Sequence, residues 1–550
     1  MRMRTALVVS GGGLQGAALI KSLRALGNVR VLVADCHGEN VGRFDADAYF
    51  QAPMLADTEG FAAFLQRLCL SEGVGHLLPT TDLELGVFSA LQPALQAAGT
   101  RVWVSSAEVL ALARNKLHLA EWLSNVGLPV LPTFATPEAV DVAGPLIGKP
   151  LAGYGGRGIV QVPSRDEALA LPAGQREGLA WQPYLLSFEE YSIDFAIAGP
   201  GQVSPAYLRR RLRTSGGFAV LCEPSADALV SAIAERSIQA LSHIGALGVL
   251  NLQVLVAQGQ GWVSDFNARA GMSLPLTLVA GGNPMALLLG TPCPPQITGE
   301  GVRTVRTLSE RLMQRPDLPN VRGVVFDLDD TLFDQKDWIV RKLRLVWQSE
   351  QGWLPAEYGF MLSTLAILEE GERARLFDVY AQQLGLDEAS RLRLIDAFRA
   401  AQPSGCRLYP DVMGTLTQLR RLGFKLGLLT DNPAASQRAK IQCACLDSAF
   451  DAMVLTGDLG CRKPERQAFD TAAERLSLAS EQLVMVGDHL FRDTLGALDA
   501  GYAHAFHLQR AGGFFNFDLA LCRPLLPAGR WSPLAALHEL NWYLSKEEAP

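Results

Sequence analysis

The sequence predicts an α/β protein built on parallel sheets and divided into more than one domain. Three observations predict it. The chain has 550 residues, more than one hydrophobic core usually organises. Its first hundred residues alternate short apolar runs (ALVV, VRVLVAD, HLLPTT, RVWVSS) with helix-like stretches. Farther on, the apolar runs VVF, LGLLT and LVMVG each bring an aspartate or threonine to a strand end, where open parallel sheets bind ligands.

Composition narrows the function. With 49% hydrophobic and 19% charged residues, the chain reads as folded and globular. A net charge of −7 offers no general nucleic-acid surface, so no nucleic-acid partner is expected. RRRLRTSGG, from Arg209, is the densest basic run. It is read as mostly solvated arginines, one or two of which reach a carboxylate or phosphate. Nine cysteines without a C-x-x-C spacing read as free thiols in a reducing compartment. The start, MRMRTALVVSGGG, reads as a first strand, because its apolar run is too short for a leader. No run of eighteen apolar residues exists, so no membrane span is expected, and the expected location is cytoplasmic.

Gly11, Gly13 and Gly16 spell G-x-G-x-x-G after the first apolar run, and Asp35 ends the next one. This spacing suits a dinucleotide site, but it equally suits any close strand–helix turn. Asp82 and Glu84, in PTTDLEL, border the same end of the domain.

In VVFDLDDTLF a buried strand delivers Asp327, followed by Asp329. Carboxylates this close repel unless a cation sits between them, and oxygen ligands suit Mg²⁺. LGLLTDN adds Thr430, GCRKPERQAF adds Lys463, and LVMVGDHLFRD adds Asp488 and Asp493. In this order the four stretches resemble the haloacid dehalogenase superfamily over about residues 321–515. The resemblance implies a Rossmann-like core with an α-helical cap. It makes Asp327 the nucleophile, Asp329 the general acid and base, and Thr430 and Lys463 the phosphoryl-oxygen holders. Mg²⁺ would be bound by Asp327, Asp488 and the Asp329 backbone carbonyl, with Asp493 supporting the loop or Lys463. A second aspartate favours a phosphatase over a dehalogenase, since an alkoxide leaving group needs a proton and a halide does not. In the helical insert, Arg341, Lys342 and Arg344 either meet an anion or form a solvated face.

LIGKPLAGYGGRGIVQV places Lys149 before a loop containing Gly153, Gly155, Gly156 and Gly158. Glycine amides can approach phosphates closely, though a plain hairpin turn explains the loop as well. Lys116 precedes a helix, and WQPYLLSFEEYSIDF carries Gln182, Tyr184, Leu185, Glu190 and Asp194. LNLQVLVAQGQGWVSDFNARAG carries Gln253, Asp265, Asn267 and Arg269. Together these resemble an ATP-grasp ligase over about residues 1–290, closest in pattern to carbamoyl-phosphate-synthase-like and pyrrolysine-ligase-like members. The resemblance implies that Lys116, Lys149 and the loop glycines contact ATP phosphates. Residues 182–185 line the adenine pocket, Glu190 takes the ribose, and Gln253, Asp265 and Asn267 hold Mg²⁺. Arg269 would neutralise a transferring phosphoryl group. The family more often has Glu where Asp265 stands. By the same resemblance the first glycine turn faces the ligase cleft and binds no NAD.

The expected layout is a doubly wound α/β domain at 1–104, an ATP-grasp domain at 105–300 and a linker at 301–320. A haloacid dehalogenase-like domain follows at 321–525, with its cap at about 334–407 and a tail at 526–550. The expected protein is bifunctional. One half would join a small carboxylate to an amine with ATP and Mg²⁺ through an acyl-phosphate. The other would hydrolyse a small phosphomonoester with Mg²⁺. A kinase in the first half, or a binding module in the second, are the alternatives. A homo-oligomer is compatible with either.

Overall fold

The computed structural model describes residues 3–38, 40–151, 158–215, 217–307 and 314–545. It divides into two compact units, Met1–Leu312 and Met313–Pro550.

The first unit opens with five parallel strands: β1 (Arg4–Val9), β2 (Val29–Asp35), β3 (Ala48–Gln51), β4 (His76–Leu78) and β5 (Arg101–Val102). Their order is β3-β2-β1-β4-β5. The chain therefore reverses direction across the sheet between β1 and β4, the crevice where such sheets bind ligands. The apolar runs fill these strands because both faces are covered by helices. The glycines are there for close packing. A Cβ on Gly11 would lie 2.6 Å from Val33, and one on Gly16 would lie 2.3 Å from the Gly11 carbonyl.

Two antiparallel sheets follow. The smaller has β6 (Leu146–Pro150), β7 (Val160–Val162) and β8 (Leu179–Pro183), in the order β7-β6-β8. The larger has β9 (Glu189–Gly199), β10 (Gln202–Val203), β11 (Tyr207–Ser215), β12 (Phe218–Ser225), β13 (Gly248–Ala257), β14 (Gln260–Asn267) and β15 (Thr304–Val305). Its order is β14-β13-β9-β11-β12-β15, with β10 on β9. The expected boundary at 104/105 does not separate compact units. Phe88 and Leu95 share one apolar core with Ile193, Phe195 and Leu250. Nor is 301–320 wholly a linker, because Thr304 and Val305 pair with Cys222 and Leu221.

The second unit is a six-stranded parallel sheet: β16 (Gly323–Phe326), β17 (Lys425–Thr430), β18 (Ala452–Leu455), β19 (Leu483–Gly487), β20 (His504–Leu508) and β21 (Trp531–Leu534). The order is β18-β17-β16-β19-β20-β21. The expected tail at 526–550 is a correction. Residues 531–534 add the sixth strand, and the helix Glu539–Leu544 follows. Leu534, Leu537, Leu540 and Tyr543 enter the same core as Phe326, so leaving them in water would forfeit their burial. Of SKEEAP, residues 546–550 lie outside the described residues.

Between β16 and β17 stand the helices Gln335–Glu350, Glu357–Glu369, Leu376–Leu384 and Glu388–Ala400, the expected helical insert. They have their own core of Ile339, Leu343, Val346, Phe360, Tyr380 and Leu394. Each such side chain contributes about 1.5–3 kcal/mol, against roughly 0–1 kcal/mol for each surface ion pair around them. Apolar packing, not the insert's many charges, therefore holds it together.

Candidate active sites

In the second unit, β16, β17 and β19 end side by side and deliver Asp327, Thr430 and Asp488 into one small cavity. Asp329, Lys463 and Asp493 line it too, so every residue expected there is assembled. The Lys463 ammonium donates to Asp327 and to Asp493, both at 2.6 Å. Asp493 also accepts from the His489 N–H at 3.0 Å, the supporting role expected of it.

Electrostatics here is dominated by burial. Burial pushes the Asp327 carboxyl up; Lys463 opposes this, but Asp493 and Asp329 add to the rise, to about 7. Asp488 stands well above the usual carboxylate range because of burial, then Asp327, Asp493 and Asp330. Asp327, Asp488 and Asp493 each offer an oxygen within 4.8 Å of the others. Asp488 has no hydrogen-bond or ion-pair partner among the described residues, although it is only 6% exposed. Three crowded carboxylates, one of them unpaired, fit a small divalent cation with oxygen ligands.

Asp329 is held differently. Lys440 donates to its two oxygens at 2.7 and 2.9 Å, Asn432 at 2.8 Å and Gln437 at 3.2 Å. Burial pushes this carboxyl up, but Lys440 and then Arg373 more than reverse the effect and leave it below its ordinary value. Gln437 also donates to Thr430 at 2.6 Å. Sequence reasoning missed Lys440, Gln437, Asn432 and Arg373. The helix Ala434–Cys443 carries Gln437 and Lys440 three residues apart on one buried face. No sequence signal marked them: Lys440 lies ten residues beyond the strand-end Thr430, in a segment that reads as an ordinary polar helix. Arg373 comes from the cap and lines this cavity as well as a larger neighbouring one.

The first unit holds a separate cleft of about 350 Å³. Lys116, Lys149, Gln182, Tyr184, Leu185, Glu190, Gln253 and Asp265 all line it. The smaller sheet supplies Lys149 from β6 and Gln182 from β8. The larger supplies Glu190, Gln253 and Asp265 from β9, β13 and β14. Gln253 stands directly across from Asp265, and Asn251 across from Asn267. The register shifts just after Gln253, leaving Ser264 as an extra residue, so consecutive Ser264 and Asp265 both line the cleft. Lys116 lies 3.7 Å from Asp265. Burial lowers Lys149 below its ordinary value, with Asp265 resisting and Lys116 adding to it.

Three expectations fare differently. Asn267 is not among the residues lining the cleft. Arg269 is not there either: its Nε donates to Asp82 at 2.9 Å, and it lines a separate small recess with Leu78 and Pro79. Gly153, Gly155 and Gly156 lie outside the described residues.

The arginine run is a correction. Arg209 is wholly buried and donates to Asp194 at 2.5 Å, an ion pair that an unpaired interior charge requires. Arg210 pairs with Glu189 and Glu223. Arg211 pairs with Glu190 and lines the cleft, a contact the sequence did not single out.

At the crevice of the first sheet, Gly12 donates its N–H to Asp35 at 2.9 Å. Asp35 thus closes the glycine turn, leaving that oxygen engaged within the chain. Glu84 accepts from Ser10 at 2.7 Å and from the Thr80 and Thr81 N–H groups, tying the β1 and β4 turns together.

Residues 321–501 match the sequence family described as haloacid dehalogenase-like hydrolase. The chain is similar to the glyceraldehyde 3-phosphate phosphatase of Methanopyrus kandleri, at 32% identity over 189 residues, 33% of this chain and 81% of that one. A pyrimidine 5'-nucleotidase of Escherichia coli is 27% identical over 175 residues, 31% of this chain and 70% of its own. Two solved N5-carboxyaminoimidazole synthetases are similar to a stretch of the chain. That of Staphylococcus aureus, complexed with ADP, is 16% identical, with a TM-score of 0.44 and coverage of 54% of this chain and 80% of that one. The Thermus thermophilus ribonucleotide synthetase is 19% identical, with a TM-score of 0.43 and coverage of 57% and 85%. Among the described residues no helix is long and apolar enough to cross a membrane.

Proposed function

The chain belongs, through residues 321–501, to the haloacid dehalogenase-like hydrolase family, and we propose that this part hydrolyses a small phosphomonoester through an aspartyl-phosphate. The observation that carries the reading is the single cavity holding Asp327, Asp329, Thr430, Lys463 and Asp488. An Asp327 oxygen attacks phosphorus, and the bond to the leaving oxygen breaks. Asp329 gives that oxygen a proton. Asp329 then takes a proton from water, whose oxygen attacks phosphorus and releases phosphate, restoring Asp327. Lys463 offsets charge on the phosphoryl oxygens, and Thr430 donates to one of them. Arg373, reaching in from the cap, adds a second positive charge.

Asp327 and Asp488, with the Asp329 carbonyl, are the residues that would hold Mg²⁺. When bound, the ion offsets the carboxylates' mutual repulsion and the phosphoryl charge. The first experiment follows phosphate release from p-nitrophenyl phosphate with Mg²⁺. Asp327→Asn is expected to be silent, and Asp329→Asn to lose about 10²–10⁴-fold in kcat. An Asp327→Asn protein that turns over normally would overturn the assignment.

For the first unit we infer an ATP-grasp carboxylate–amine ligase, with MgATP as substrate. The support is the convergence of Lys116, Lys149, Gln182, Glu190, Gln253 and Asp265 on one cleft. The two lysines face the phosphates and the 182–185 segment faces the base. Arg211 holds Glu190 for the ribose, and Gln253 with Asp265 meets the Mg²⁺ that ATP brings. A substrate carboxylate oxygen attacks the γ-phosphorus and ADP leaves. The amine nitrogen then attacks the acyl carbon, phosphate leaves with the bonding pair, and the nitrogen loses a proton. Arg269, beside the first sheet's crevice and outside the nucleotide cleft, suits a substrate carboxylate better than the ATP phosphates.

A further inference from the structure

The cap and the parallel-sheet core of the second unit enclose a cavity of about 630 Å³, within the usual range for small-ligand sites. Its walls include Trp338, Phe377 and Phe398. The chemistry at Asp327 does not use it, yet it adjoins that chemistry. Arg373 and Asn432 line both cavities, and Lys440, which holds Asp329, lines this one.

One lysine in it has no counter-charge. Lys342 is 9% exposed and lines the cavity. No carboxylate lies within ion-pairing distance of it among the described residues. Its ammonium sits 4.4 Å from the centre of the Phe398 ring. The neighbouring cations on its helix differ: Arg341 is paired with Asp337, and Arg344 with Glu357. The cavity's only carboxylate among the described residues, Asp378, is bonded by Arg391 at 2.5 Å. A buried ammonium without a partner is costly, and an aromatic face offsets only part of that. Burial, then Lys440, lowers Lys342 to about 8, and a bound anion would raise it again.

The position of Lys342 has meaning. Gln335, which accepts from Lys440 at 2.6 Å, lies seven residues earlier on the same helix. Seven residues are two turns, about 10.5 Å along one face. That face therefore runs from the Asp329 end of the site to Lys342. We propose that the cavity receives the apolar body of a phosphomonoester whose far end carries a carboxylate, and that Lys342 binds this carboxylate. A single ammonium matches one monovalent group, and the arginines that also line the cavity are engaged elsewhere: Arg375 with Glu372, Arg391 with Asp378 and Glu388, Arg399 with Asp396, and Arg373 at the aspartate cavity. The proposal rests on the phosphatase reading.

The test compares 3-(4-phosphonooxyphenyl)propanoate with its primary amide, using p-nitrophenyl phosphate and Mg²⁺ as the control. Wild-type protein is expected to favour the acid by about tenfold or more in kcat/KM, mostly through KM. In Lys342→Met the acid-to-amide ratio is expected to fall to near one, and in Lys342→Arg to recover in part. Lys342→Gln replaces the methionine variant if that fails to fold. If wild type hydrolyses the control but treats acid and amide alike, the carboxylate proposal is wrong and the phosphatase reading stands. An unchanged ratio in Lys342→Met also removes it. If even the control is not hydrolysed, both fall together.

Discussion

Asp327 and Asp329 are two residues apart, and their surroundings set them to different tasks. Asp327 faces Lys463 but also the carboxylates of Asp329, Asp488 and Asp493, whereas Asp329 faces Lys440, Asn432 and Gln437. The environment of Asp329 favours its anion, which suits the half-reaction in which it takes a proton from water. Its other task, giving a proton to the leaving oxygen, is opposed by Lys440. Removing Lys440 leaves the burial penalty and takes away the main counter-charge, so the Asp329 carboxyl titrates higher. Lys440→Met is therefore expected to move the alkaline limb of kcat/KM to higher pH. A pH–rate profile with unmoved or downward-shifted limbs would assign the proton donor elsewhere. Lys440 was invisible in the sequence because nothing in QRAKIQC distinguishes a buried lysine from a solvated one. Asp327 was legible because it follows a short apolar strand, and Asp329 because it stands two residues after Asp327.

At the scale of elements, the strands that end on functional residues were readable from apolar runs. What their neighbours do was not. Cleft residues Glu190, Gln253 and Asp265 come from three adjacent strands, and only the order β14-β13-β9 puts them together. The extra residue at Ser264 is a pairing event with no local signature. The strand Trp531–Leu534 was hidden by Pro533 and by the glycine and proline just before it. The β4–β5 pair also carries a pH dependence. His76 stacks on Trp103 and accepts its indole N–H at 3.2 Å, and burial, then Arg4 and Arg101, lower it from 6.5 to about 4. The folded chain thus excludes a proton that the unfolded chain binds. This stability is present above pH 6.5 and is lost as pH falls toward 4, at most about 3 kcal/mol. His76→Phe keeps a ring and removes the titration. Hydrogen-exchange protection of peptides spanning 76–103, after correction for intrinsic rates, is expected to fall from pH 7 to 4.5 in wild type. The fall should be clearly smaller in the variant, and equal falls would remove His76 as the cause.

For the whole molecule, the question is whether two sites on one chain perform linked steps. Each is assembled from one compact unit's own residues, so each can be silenced without touching the other. Asp327→Asn leaves every lining residue of the first unit's cleft in place, and Asp265→Asn leaves the aspartate cavity in place. Incubated with MgATP and pooled amino acids and small carboxylates, Asp327→Asn is expected to form ADP only when an acid and an amine are both present. An amide mass should accompany it, because an acyl-phosphate is consumed by the amine held beside it. Asp265→Asn should lose ADP formation by about tenfold or more if its carboxylate meets the nucleotide's metal, while still releasing phosphate from p-nitrophenyl phosphate. If the amide made by Asp327→Asn carries a phosphate that wild type removes, the two halves act in sequence, because only the second site can take it off. If ADP instead forms with one substrate alone and a stable phosphorylated species accumulates, the first unit is a kinase. The ligase reading then fails, while the phosphatase reading is untouched.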